Sequence, residues 1–582
     1  LSTHWKRRPE PPSEEVEALR QALQVDKTIA TLLVQRGINT FDHARRFFRP
    51  SADQLHDPFL MKDMDRAVDR IIRALNAGEH ILVYGDYDVD GTCSVALVDS
   101  YLRTQGDLSC IYVPDRYEEG YGLSRAGVEY ARDNELGLII ALDCGTKDLE
   151  SIAFAVELGI DVIVCDHHRP GNALPAAYAV LNPLRADCAY PFKELCGCGL
   201  GFKLVSALAL KLGQQFEEIC ELLDLVALAT AADLVPMCGE NRTLTQLGLA
   251  LINRRPRPGL SCILPQAQQG NWTCEHLSFS AAPRINAAGR MGHASLAVYL
   301  LQSEGLTEAR SLASEVEYLN ARRKECQEDM LREALDAVEE KGGADACSTV
   351  VYAPHWHKGV VGIVASKLIE HYYRPTIVLC GEGEVVSGSA RSVEGFDLHS
   401  ALEDCREYFV RFGGHTAAAG MSLKRDRLEA FSLAFERSVR HAQAGIPPRK
   451  VIEYDLELGL EDITDRFYRI LKQFGPYGPG NPKPLFRISN LRDTGSSRVV
   501  GSDHSHLKLR LSDELGRQVS GIGFGLAHRW VGVRSDAFDV LASPVENRWK
   551  GRCSMELLVQ DLGQSSAFSS RRDSPSNTAK VQ

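Results

Sequence analysis

The stretch "ILVYGDYDVDGTCSVALVDSYLRTQG", residues 81–106, decides how the chain is read. It opens on a short apolar run, passes through alternating aspartates and a glycine, and continues as a helix-like segment. The same alternation runs on to about residue 182 through "CIYVPD", "GLIIALD", "SIAFAVELG", "DVIVCD" and "AYAVLN". Strands that alternate with helices imply βαβ units and a parallel sheet covered on both faces. Ligands of such sheets bind beyond the carboxyl ends of the strands. Three of these runs end in aspartate at that rim, at Asp86, Asp143 and Asp166. A further carboxylate, Asp233, follows the alanine-rich "LVALATAADLVP".

"DYDVDG", 86–91, has the opening of a calcium-binding EF-hand loop, but its twelfth position is Leu97 and a strand precedes it, so that reading fails. One of the acids Asp86, Asp88 and Asp90 can cap the following helix; three at alternate positions repel one another and call for a cation. "VIVCDHHRP", 162–170, brings His167 and His168 to the same rim. Mixed carboxylate and imidazole ligands suit Mn²⁺ or Mg²⁺, and the absence of cysteine among them disfavours structural zinc. The candidates outnumber what one ion takes from protein, so two ions sharing an aspartate fit better. Two such ions, about 3.5–4 Å apart, generate a hydroxide nucleophile and stabilise a phosphorane-like transition state, which points to phosphoester hydrolysis.

At 582 residues the chain exceeds one core, since single domains stop near roughly 250–300 residues, and three or four domains are expected. Hydrophobic content of 44% and charged content of 25% are those of an ordinary globular protein. No apolar run reaches the length of a membrane span, and "LSTHWKRRPEPPSEEVEAL" has no h-region behind it, so the cytosol is the expected compartment. Sixteen cysteines without a CxxC pair read as reduced thiols. A net charge of −11 argues against a generally basic nucleic-acid binder and leaves room for a local basic groove.

Residues 306–341 place Leu312, Val316, Leu319, Cys326 and Met330 on one stripe at helical spacing, as in a long helix joining two bodies. A second α/β pattern follows, with "TVVYAP", "PTIVLCG" and "FGGHTAAAG"; then "HLKLRLSD" and "QVSGIGFG" read as strands of a small β-barrel, and a Ser-rich end reads as disordered. The expected organisation is an N-terminal segment over 1–50, a catalytic α/β domain over 51–260, a connecting region over 261–345, a second α/β domain over 346–448, a barrel over 449–563 and a tail over 564–582.

"DYDVDG", "LDCG", "DHH" and "ATAADLVP", in this order, resemble the four metal-site motifs of the DHH phosphoesterase superfamily, and "FGGHTAAAG" resembles the glycine-histidine motif of its DHHA1 domain. More narrowly, "VPDRYEEGYGL", "PRINAAGRMG", "GSARS" and "FGPYGPGNPKPLF" are similar to the bacterial RecJ family of single-strand-specific 5′→3′ exonucleases, and the resemblance runs from about residue 50 to 560. It implies a parallel-sheet DHH domain, an α/β DHHA1 domain and a C-terminal OB-like barrel. Asp86, Asp88, Asp90, Asp143, His167 and Asp233 would be ligands of two Mn²⁺ or Mg²⁺ ions, with Asp143 as the bridge. His168 would face the scissile phosphate, and Asp166 would orient the imidazoles.

Arg116 follows a strand onto the acidic rim, where it is as easily a structural ion pair; the resemblance gives it a phosphate. Ser389 and Arg391 would grip a terminal 5′-phosphate, and Arg284, Asn286 and Arg290 would contact successive phosphates. His415, beside Gly413 and Gly414, permits close approach to the substrate. The expected activity is a single-stranded-DNA exonuclease releasing 5′-mononucleotides in recombination and repair, with a cleft between the two α/β bodies too narrow for a duplex. Its 5′→3′ direction rests on the resemblance alone, as do a single-strand binding protein and a helicase as partners. Two alternatives remain: a DHH phosphodiesterase acting on short oligonucleotides or cyclic dinucleotides, and a non-catalytic single-strand-binding scaffold like the eukaryotic factor Cdc45.

Overall fold

A computed structural model describes residues 3–340, 346–444, 449–530, 537–549 and 552–564. The Ser-rich end from 565 lies outside the described residues, as do residues 341–345. The chain divides into two units: one spans Ser51–Lys450, and the other joins His4–Pro50 to the chain from Val451 onward.

The first unit contains five strands, β1 (Ile81–Gly85), β2 (Ser109–Tyr112), β3 (Leu138–Leu142), β4 (Asp161–Cys165) and β5 (Ala179–Leu181), in the spatial order β2-β1-β3-β4-β5. All pair in parallel. Alternate side chains feed two cores: Ile81, Val83, Leu138, Ile140 and Leu142 enter one, and Leu82, Tyr84, Ile139 and Ala141 the other. Helices on both faces therefore require the unbroken apolar runs seen in the sequence. Gly85 lies opposite Leu142, Leu142 opposite Cys165, and Cys165 opposite Leu181. Because the strands end in register, the next residues, Asp86, Asp143, Asp166 and Asn182, leave one rim side by side.

The first core is covered by α1 (Val89–Gln105), α2 (Gly197–Lys211) and α3 (Leu223–Ala232). The charges buried beneath them are paired: Lys203 Nζ lies 2.6 Å from Glu240, and Arg257 Nε 2.9 Å from Asp224.

After α4 (Ala282–Met291), helix α5 runs over Leu306–Glu340. Of its expected stripe, Val316 and Met330 are buried, and Leu312, Leu319 and Cys326 are half-buried. Ala313 and Val316 enter the core of the parallel sheet, whereas Met330, Ala334 and Val338 enter the core of a second layer. The long helix thus joins the two α/β layers as expected, and it does so as a shared wall, both layers belonging to one unit. The second layer has β6 (Thr349–Ala353), α6 (Val361–Tyr372), β7 (Thr376–Cys380), β8 (Val385–Arg391), β9 (Phe409–Gly414) and β10 (Ala418–Lys424). Its strand order is β9-β10-β8-β7-β6, with only β6 and β7 parallel.

In the second unit, strands Phe486–Asp493, Phe538–Trp549, Arg552–Gln564, Gln518–Gly523 and His506–Ser512 are neighbours in that order, and Phe486–Asp493 pairs again with His506–Ser512. The sheet thus returns on itself as an OB-like barrel around Phe486, Leu509, Phe538 and Leu557. Strand His4–Arg7 pairs in parallel with Val451–Tyr454, and Leu19, Ile29, Leu32 and Leu33 join the barrel core. The N-terminal segment is therefore part of this unit. Among the described residues no helix is long and apolar enough to cross a membrane.

Candidate active site

The Asp-rich turn divides its labour. Asp88 caps α1, its Oδ1 accepting the Asp90 and Gly91 N–H groups at 2.9 and 3.1 Å. Asp90 points into the sheet rim, where its two oxygens accept the Gly197 and Cys198 N–H groups at 2.6 and 2.7 Å, at the start of α2. Only glycine fits at 197: a Cβ there would lie 2.6 Å from the Asp143 Cβ.

Three sets of potential ligand atoms, each mutually within 4.8 Å, occupy this rim: Asp86, Asp88 and Asp143; Asp90, His167 and Asp233; and Asp143 with His167 and His168. The His167 Nε2 lies 3.2 Å from Asp143, 3.7 Å from Asp233 and 3.8 Å from Asp90. Four buried atoms here, Asp86 Oδ1, Asp143 Oδ1, Asp233 Oδ2 and His167 Nε2, have no hydrogen-bond partner. Orphaned buried acceptors converging from separate elements are what a divalent cation satisfies, and an all-oxygen set completed by imidazole fits Mn²⁺ or Mg²⁺.

The electrostatics agree. Burial and neighbouring carboxylates raise Asp86, Asp143 and Asp233 above the ordinary carboxylate range, and burial raises Asp90. Burial also lowers His167, which favours the neutral imidazole that a metal needs.

Asp166 behaves otherwise. Against the upward push of burial, hydrogen bonds from His168 and Thr146 hold it down at about 2. Its Oδ1 takes the His168 Nδ1 at 2.7 Å and the His168 N–H at 3.0 Å, and its Oδ2 takes the Thr146 N–H at 2.9 Å. Asn182 Nδ2 ties Thr146 Oγ1 and the His168 carbonyl together at 3.0 and 2.8 Å. Burial opposes ionisation of His168, yet its bond to Asp166 outweighs this and raises it. The bond to Asp166 thereby favours the charged form of the imidazole beside the acidic cluster.

The basic candidates separate into two groups. Arg116 lies 4.1 Å above the Tyr87 ring, with its buried Nη1 unpartnered. Arg290 donates to the Gly359 carbonyl at 2.8 Å, and burial with the charges of Arg116 and Arg391 pulls it down to about 10. Arg391 donates to Ser389 Oγ at 2.6 Å, and burial lowers it too. Among the described residues none of these three guanidinium groups has a carboxylate ion pair. Gly362, in the first turn of α6, backs Arg391: a Cβ there would lie 2.8 Å from Arg391 Nη2 and 3.1 Å from Ser389 Oγ. Asn286 Oδ1 is buried without a partner.

Arg284 is different. It is held by Glu317 at 2.5 Å and by the Ser280 carbonyl at 2.9 Å. Two residues are about 200° of helix, so Arg284 faces away from Asn286 while Arg290 shares Asn286's face. The set does not form a row of successive contacts. His415 ends the β9 turn, its N–H on the Ala418 carbonyl at 2.9 Å, and its imidazole is lowered by burial and by the charges of Lys147, His168 and Arg169.

Sequence reasoning passed over Thr146, Asn182, Tyr121 and the Gly197–Cys198 backbone. The glycines bracketing cysteine in "LCGCGLG", at a helix start, were the available signal for the last. The Tyr121 hydroxyl donates to the Asp143 carbonyl at 3.0 Å and lies 3.0 Å from His168 Nδ1.

The profile of the DHH family, N-terminal domain, matches residues 80–230, that of the DHHA1 domain 345–441 and that of the RecJ OB domain 454–561. The single-stranded-DNA-specific exonuclease RecJ of Bacillus subtilis is 38% identical over 558 residues, 95% of this chain and 70% of its own. That of Escherichia coli is 37% identical over 528 residues, 86% of this chain and 90% of its own. The crystal structure of RecJ in complex with Mn²⁺ from Thermus thermophilus superposes with a TM-score of 0.83 at 29% identity, covering 97% of this chain and 80% of that one. The RecJ–Mg²⁺ complex from the same source gives 0.75 at 28% identity, with 97% and 79% covered.

A parallel sheet whose rim gathers orphaned carboxylates and an imidazole, with a DHHA1 layer packed on the same helix, defines a metal-dependent phosphoesterase of the DHH class. The OB-like barrel and the level of identity narrow this further. The chain belongs to the RecJ family.

Proposed function

We propose that this protein hydrolyses single-stranded DNA from its 5′ end with two divalent ions, Mn²⁺ or Mg²⁺, releasing 5′-mononucleotides. One observation carries the reading: a cluster of orphaned buried carboxylates stands beside three guanidinium groups that, among the described residues, lack carboxylate partners. The first needs cations and the second needs an anion; a phosphodiester between them satisfies both.

Asp86, Asp88 and Asp143 would hold one ion, and Asp90, His167 and Asp233 the other, with Asp143, 3.2 Å from His167, serving both. When bound, the ions activate water as a nucleophile at neutral pH and offset charge on the transferring phosphoryl group. His168, fixed by Asp166 and shifted by it toward the charged form, faces the scissile phosphate. Arg116, Ser389 and Arg391 bind the terminal 5′-phosphate, Arg290 and Asn286 support it, and His415 closes the site from the second layer. Arg284 keeps Glu317 as its partner until a strand displaces it.

The RecJ relatives are single-stranded-DNA-specific by name, and the Thermus structures hold Mn²⁺ and Mg²⁺. The OB-like barrel is of a kind that binds strands without reading sequence. A single-strand binding protein and a helicase are the partners expected in the cytoplasm, in recombination and repair. A decayed, non-catalytic scaffold would have lost ligands, and all six are present.

The deciding experiment compares a 5′-labelled single strand with the same strand in a blunt duplex. Release of mononucleotides from the single strand alone is expected; equal rates overturn the selectivity, and dependence on oligomers of a few nucleotides favours the short-substrate alternative. Arg391→Ala is expected to lower kcat/KM on 5′-phosphorylated strands by about 10–100-fold, one charge-assisted contact, with little change on 5′-hydroxyl strands. Equal losses on both ends count against this role.

A further inference from the structure

Tyr121 sits in the loop after β2, between Gly120 and Gly122, whose φ angles of 83° and 98° belong to the left-handed region. The loop is stapled at both sides: Glu119 Oε1 accepts the Asp115 N–H at 2.8 Å, and Asp148 Oδ2 accepts the Leu123 N–H at 2.6 Å. Tyr121 as a residue is 51% exposed, but its hydroxyl turns inward to the Asp143 carbonyl. It donates to the Asp143 carbonyl at 3.0 Å and lies 3.0 Å from His168 Nδ1, the rings meeting edge-on at 5.5 Å.

Both partners need such a tether. Asp143 has φ of 60°, an unusual backbone for a residue with a Cβ, which persists only where surrounding contacts hold it. Its N–H is tied to the Cys165 carbonyl at 2.9 Å, and the Tyr121 hydroxyl secures the carbonyl end. His168 gives its Nδ1 proton to Asp166, about which bond the ring can tilt; the Tyr121 hydroxyl, 3.0 Å from Nδ1 and 3.4 Å from Nε2, lies against the ring and limits that tilt.

We infer that Tyr121 is a positioning residue: its hydroxyl links the His168 imidazole to the Asp143 backbone, so that the ring facing the phosphate and the carboxylate shared by both ions keep one mutual geometry. The inference rests on the exonuclease reading and adds to it a residue that acts through His168. A tyrosine serving as a base-stacking platform would use its ring face and have no need of the hydroxyl.

The test is Tyr121→Phe, which retains the ring, assayed on a 5′-phosphorylated single strand at saturating Mn²⁺, alone and combined with His168→Ala. Misplacement of a reacting group by about 1 Å costs roughly 100-fold, so kcat is expected to fall about 10–100-fold. KM, the half-saturating Mn²⁺ concentration and the melting temperature should stay near wild type. In the His168→Ala background the same change should have a much smaller effect, the signature of coupling in a double-mutant cycle. Wild-type kcat in Tyr121→Phe overturns the proposal. So does a loss confined to KM, a loss cured by excess Mn²⁺, or an equal loss in both backgrounds. A wild-type protein that leaves single strands intact overturns the exonuclease reading itself, a result distinct from all of these.

Discussion

Asp143→Asn is expected to lower kcat on single-stranded DNA by about 10,000-fold, the scale seen when a member of a catalytic unit is removed. The reason is position. Asp143 belongs to the set with Asp86 and Asp88, and its Oδ1 lies 3.2 Å from His167 Nε2 of the other set, so its loss would disturb both ions at once. Asparagine keeps the shape and removes the charge that holds a cation. Binding of the strand should persist within about threefold, because phosphate contacts from arginines outside the cluster supply most of it. The same substitution should not destabilise the metal-free protein. Asp143 is buried among Asp90, Asp88, Asp233 and Asp86, which push its carboxyl upward, so a neutral amide relieves a repulsion. Gel-based cleavage, fluorescence anisotropy and a melting curve in chelator check the three parts. Retained cleavage means the ligands are misassigned, and a sharply lower melting temperature in chelator means Asp143 is structural.

Chelation is expected to abolish cleavage completely, with recovery on adding Mn²⁺ or Mg²⁺. It should also be visible in stability. A ligand that binds only the folded state at about 100 times its Kd contributes about 2.7 kcal/mol, equivalent to roughly 5 °C for a domain of this class. Mn²⁺ should therefore raise the melting temperature of the wild type and raise that of Asp143→Asn much less. Calorimetry with and without chelator decides it. An equal rise in both proteins places the stabilising ion elsewhere.

The βαβ order, the acidic rim and the succession of domains could be read from the chain. Each is local: a run such as "GLIIALD" carries its own period, and an aspartate at its end is placed by the strand before it. The second α/β pattern and the barrel strands were visible for the same cause. The membership of His4–Pro50 in the barrel unit was not, because the pairing of His4–Arg7 with Val451–Tyr454 joins segments far apart in sequence. Nothing in either strand names the other.

The site divides along the same line. Residue types and order determined by themselves that acids and imidazoles meet at strand ends and that their chemistry asks for cations, since ligand preference is a property of the side chain. Tertiary structure alone decided which acids stay orphaned and which are occupied: Asp88 spends one oxygen on α1, Asp166 is saturated by His168 and Thr146, and Arg284 is claimed by Glu317. It alone also brought Arg391 to Arg290 and the Tyr121 hydroxyl to His168. A side chain's chemistry is intrinsic, but whether it is free to act depends on partners that only the folded chain brings within hydrogen-bond distance.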